Sequence, residues 1–176
     1  MHIPEDVIDA TWRSVGASDA AAMRRIQKSS GKDQEDLMAF VIAWNGEQRS
    51  EVLGLGLYLA LVILESFRRG PVRKVKRVKE RRILKLLREN QLLIAGLSDS
   101  PEEASAILMD SKIVSEPAIM EYILSALLEA PGDPDEELNL ADDEFWHLVL
   151  VLKTFTDALH EASHFDSVGE GHAGAV

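Results

Sequence analysis

The sequence predicts one all-α domain over residues 1–176, an irregular bundle of about six to eight helices. Three observations lead there. Capping residues and Gly/Pro breakers divide the chain into segments of helical length, apolar positions inside those segments recur at helical spacing, and no two strand-like runs stand out as partners for one another. At 176 residues and 46% hydrophobic composition the chain can bury a core without staples, and having no cysteine excludes thiolate catalysis, thiolate zinc sites and disulfides.

Taken in order, Pro4-Glu5-Asp6 suits a first helical turn, because proline loses no hydrogen bond there and acids oppose the positive end of the helix dipole; this helix should run to about Val15. Ser18 is the expected cap of a second helix, with Met23 and Ile26 inward, ending at Gly31. Asp33 and Asp36 should open a third through Phe40, Val41 and Trp44, stopped by Asn45-Gly46. Ser50 then begins the most apolar stretch. Leucines alternate with small residues from Leu53 to Leu61, which literally reads as strand, but the run stays apolar on both parities through Leu64 and is rich in helix formers, so a central helix over 51–67 is expected. Its uncharged core, Val52 to Leu64, is 13 residues, below the 18 or so of a membrane span. Gly56 and Ala60 put two small residues on one face, where another helix can approach closely.

Gly70-Pro71 breaks the chain before a basic segment, expected as one amphipathic helix from Val72 to about Leu93 with Val72, Val75, Val78, Ile83, Leu86 and Leu87 inward. Ser98 to Ser100 should be a linker. Ser100-Pro101-Glu102-Glu103 combines a cap, a first-turn proline and a glutamate three residues on, starting a short helix through Ile107 and Leu108. Ser115-Glu116-Pro117 should start the next, through Ile119, Ile123, Leu124 and Leu127. Pro131 to Asp135 is a loop. The last helix should run from Asp142 to about His164, with a frayed tail from about 166. Its stripe of Phe145, Leu148, Val149, Leu152, Phe155 and Leu159 should face the core, leaving Lys153, Asp157, His160, Glu161 and His164 toward water. Trp12, Trp44 and Trp146 fit core positions, and His147 a boundary.

Charge is segregated. Residues 1–89 hold 17 Lys and Arg against 12 Asp and Glu, a balance of +5, whereas residues 90–176 hold 2 against 18, a balance of −16. Eleven of the 19 basic residues fall between Arg68 and Arg88. Within this segment Arg73, Lys74, Lys76, Arg77, Lys79, Arg81 and Arg82 are the candidate partner-binding residues. Electrostatic pairing with the acidic half, inside the chain or across a homo-oligomer, competes with binding of a nucleic acid accessory partner; the segment has no aromatic residue to stack on bases and carries no known nucleic-acid motif.

One catalytic-looking pattern is present. His160-Glu161-Ala162-Ser163-His164 resembles the H-E-x-x-H helix of the zincin metalloproteases over five residues, a resemblance that would make His160 and His164 zinc ligands and Glu161 the general base of a metal-dependent hydrolase. The extended form of the motif wants Gly three and His six residues after the second histidine; these positions hold Ser167 and Glu170, and Gly169 and His172 arrive two residues late. A solvated helix face is the competing reading, and it is the one we adopt. The expectation is therefore a non-catalytic, acidic interaction or accessory protein of the cytoplasm, without cofactor or metal, that binds a protein partner or its own copy through its charge-segregated surface.

Overall fold

The computed structural model describes residues 1–97, 99–110, 114–129 and 139–165, and the side chains of all of these except residues 73 and 165. Among them eight helices account for most of the chain: α1 (Glu5–Gly16), α2 (Ala20–Asp33), α3 (Glu35–Asn45), α4 (Ser50–Arg69), α5 (Glu80–Ala95), α6 (Pro101–Asp110), α7 (Pro117–Leu128) and α8 (Asp142–Ala162), with two short strands, β1 (Val72–Val75) and β2 (Ser163–Phe165). The all-α bundle of the sequence reading is thus the observed class. Ser98, the loop at 131–135 and the tail from 166 lie outside the described residues.

Helices α4 and α8 form the centre. The Leu53–Leu61 alternation is helical, and Val52, Leu59, Leu61, Ile63, Leu64 and Phe67 of α4 are buried against α1, α3 and α8. By length and composition alone α4 could cross a membrane, with a mean hydropathy of 1.6 over its most apolar window, yet 56% of that window is buried within the fold. At Gly56 helix α4 meets two neighbours closely: a Cβ there would lie 3.0 Å from Asn45 Nδ2 on α3 and 3.1 Å from Leu148 Cδ2 on α8. Asn45 is itself fully buried, donating to Val41 O at 2.9 Å and accepting from His147 Nε2 at 3.0 Å.

Several boundaries differ from expectation. The second helix is capped by Asp19, whose Oδ1 accepts from Ala22 N at 2.7 Å, while Ser18 turns back to Ser14 O; α2 then continues past Gly31 to Asp33. The basic segment is not one helix. After Gly70-Pro71 the β-branched Val72 and Val75 frame a strand that pairs antiparallel with β2, with Lys74 opposite His164, Val75 opposite Ser163 and a bulge between Val72 and Lys74. The chain stays extended to Lys79, where α5 begins. Gln34, buried at the α2–α3 junction, fixes this extension: its Nε2 donates to Lys76 O and its Oε1 accepts from Val78 N, both at 3.0 Å. Asp36 of α3 then accepts from Glu80 N at 3.2 Å and caps α5 from outside its own sequence. Of the six inward positions expected, Val78, Ile83, Leu86 and Leu87 are buried, while Val72 and Val75 are partly buried against the core.

Trp12 and Trp44 are also misplaced by the sequence reading, standing 47% and 37% exposed instead of in the core. The predicted stripe on α8 is buried throughout, but the opposite side is covered too. Lys153 and Asp157 are only 2% and 9% exposed, because α5 packs along that face of α8.

Candidate functional site

Two places concentrate chemistry. The first lies where α5, the start of α7 and the end of α8 converge around a cavity of about 380 Å³ lined by Asn90, Ser115, Lys153, Asp157, His160 and Glu161, among others. Its floor is a closed polar network. Lys153 Nζ donates to Asp157 Oδ2 at 2.7 Å, Asn90 Nδ2 donates to the same oxygen at 3.0 Å and reaches Thr154 Oγ1 at 3.2 Å, and Ser115 Oγ donates to Asp157 Oδ1. A buried Lys–Asp pair with its remaining lone pairs satisfied is tolerable in a core; losing either partner would strand a charge.

Next to this network sits Glu116, the residue that precedes α7. It is 0% exposed and does not cap its own helix. Instead its Oε2 accepts from the backbone N of Ile3 at 2.8 Å and its Oε1 pairs with His160 Nδ1 at 2.7 Å. The His2 ring stacks on His160, with centroids 5.9 Å apart and planes inclined by 21°, and its Nδ1 donates to Ser115 O at 2.9 Å while lying 3.8 Å from Glu116 Oε2. His2, Glu116 and His160 each offer one ligand atom, and these atoms lie within 4.8 Å of one another.

The H-E-x-x-H residues separate in space. Helix α8 ends at Ala162, so His164 falls on β2 opposite Lys74 and does not share a helical face with His160. Glu161 is exposed and ion-paired with Arg82, whose Nε donates at 2.6 Å. His160, expected toward water, is half-buried against Glu116. Sequence reading found one member of the actual cluster and missed two. His2 had no helical context, and Glu116 read as part of a helix start; only their packing brings them together.

The second place is the outer face of α5. Lys79, Arg81, Arg82, Lys85 and Arg88 surround Leu84 in a shallow basic concavity of about 530 Å³. Leu84, 37% exposed, is shared with an adjoining groove of about 290 Å³ between α3 and α5, lined by Phe40, Ala43, Trp44 and Ile83 with Asp36 and Glu80 at its edge. Among the described residues, Arg82 pairs with Glu161, Lys85 lies 3.9 Å from Glu89 and Arg77 pairs with Glu35. Lys74, Lys76, Lys79, Arg81 and Arg88 make no ion pair with a described residue, and among the described residues Arg82 is the one of this segment that pairs with the acidic half of the chain. The side chain of Arg73 is outside the described set.

No protein-family model, curated protein or solved structure matches the chain.

Proposed function

We propose that this chain is a non-catalytic interaction protein whose α5 ridge, with the Phe40–Trp44–Leu84 groove beside it, seats an acidic surface, and that this surface is supplied by the acidic half of a second copy. The observation that carries the reading is the basic concavity around Leu84, where Lys79, Arg81 and Arg88 make no ion pair with a described residue and which adjoins, through Leu84, an exposed apolar groove edged by Asp36 and Glu80. Apolar contact would supply area, and cations without internal partners would supply orientation. The same chain carries the complement, −16 over residues 90–176. Opposite patches on one chain make a head-to-tail contact, which closes into a ring or extends.

Sedimentation velocity across a salt series tests this. Association at low ionic strength that weakens as salt rises, and that disappears in K79E/R81E/R88E, is the expected result, because exposed charges act over a Debye length of about 10 Å at 0.1 M salt. A protein that stays monomeric at low salt and high concentration contradicts it. Binding of duplex DNA by the same ridge in place of self-association would transfer the surface to the nucleic-acid reading.

A further inference from the structure

We infer that His2, Glu116 and His160 form a Zn²⁺ site, distinct from the H-E-x-x-H pattern and sharing only His160 with it. The donor set is two imidazoles and one carboxylate, chemistry suited to zinc and other borderline divalent ions. The ligand atoms lie within 4.8 Å of one another, and His160 Nδ1 and Glu116 Oε1, at 2.7 Å, are already at the separation of neighbouring ligands around one ion. Bonds of about 2 Å place ligand atoms about 3 Å apart, so the remaining closure falls to His2, whose side chain is 57% exposed and free to adjust.

Two features beyond proximity support the site. Glu116 is fully buried, and no Lys or Arg among the described residues neutralises it; its partners are the Ile3 N–H and the two histidines. Burying a carboxylate is costly, and a divalent ion held between Glu116 and the two imidazoles would offset that cost. The second feature is the outer support. His2 Nδ1–H donates to Ser115 O and the ring stacks on His160, which keeps the imidazole beside Glu116, and the neutral ring then carries its lone pair on Nε2. Three protein ligands leave a fourth position open, and His160 also lines the Asn90–Lys153–Asp157 cavity.

Zinc titration of tag-free protein by calorimetry, with metal per chain measured after gel filtration, tests the inference. Wild type should bind one Zn²⁺, His2→Ala should weaken binding more than tenfold, since even outer-sphere partners are worth about 10–100-fold, and His164→Ala should bind as wild type does. His2→Ala is the decisive variant, because His2 is half-exposed and its loss leaves the fold intact, whereas Glu116→Gln alters a buried group. No zinc bound by wild type, or zinc retained in His2→Ala and lost in His164→Ala, overturns the site. Self-association of the α5 ridge is read in a separate experiment and is unaffected by either result.

Discussion

Gly54 and Gly56 lie two residues apart on α4 and face opposite circumstances. A Cβ at Gly54 meets nothing within 4 Å, so Gly54→Ala should raise stability by about 0.5–1 kcal/mol through helix propensity and a less flexible unfolded chain. At Gly56 the same methyl group presses on Asn45 and Leu148, and Asn45 is held by hydrogen bonds on both sides. Overpacking of about 1–3 kcal/mol should exceed the propensity gain, so Gly56→Ala should be destabilising in denaturant titration. His147, which donates to Asn45, has its pKa lowered from the ordinary 6.5, chiefly by burial, with a backbone hydrogen bond to Trp44 and the charge of Asp143 opposing. Since the folded form holds the proton less tightly than the unfolded one, stability present above about pH 6.5 is lost as pH falls toward the depressed folded value. Unfolding curves from pH 7 down to about pH 5 should show this loss, and His147→Gln should flatten it.

Among the elements, the helices were legible wherever cap chemistry and apolar spacing agreed, as at Ser50, Pro101, Pro117 and Asp142. The stretch after Pro71 was not, because its conformation is imposed from elsewhere in the chain. β1 is four residues long and its partner, β2, lies about ninety residues later, too short and too distant for periodicity to register. The extension to Lys79 rests on Gln34, one polar residue that no local pattern singles out. Gln34→Ala should strand Lys76 O and the buried Val78 N–H and cost about 2–3 kcal/mol, measurable by chemical denaturation, with hydrogen exchange at Val78 accelerated. Likewise, the polar face of α8 was read as solvated because its composition fits water. Lys153 and Asp157 satisfy each other and Asn90 beneath α5, and that pairing is tertiary information. The same applies to the cluster at Glu116, whose members come from the N-terminal segment, the start of α7 and the end of α8.

At the scale of the molecule, few ion pairs among the described residues join the basic segment to the acidic half of the chain. Arg82–Glu161 ties the ridge to the acidic half, and Arg49–Glu144 ties α4 to the first turn of α8, where the bound guanidinium and the Ala141 N–H lower the pKa of Glu144. Lys79, Arg81 and Arg88 surround Leu84 without an ion pair to a described residue, and that basic concavity next to the exposed groove of Phe40 and Trp44 is the basis of the interaction proposed for this protein. Its most direct measurement is zero-length carbodiimide cross-linking, which joins lysine amines to carboxylates in contact, on a mixture of isotopically light and heavy copies. The account predicts mixed-isotope peptides joining Lys79 or Lys85 to acidic residues beyond residue 90, lost at high salt. Cross-links confined to single copies under conditions of low salt and high concentration would contradict it.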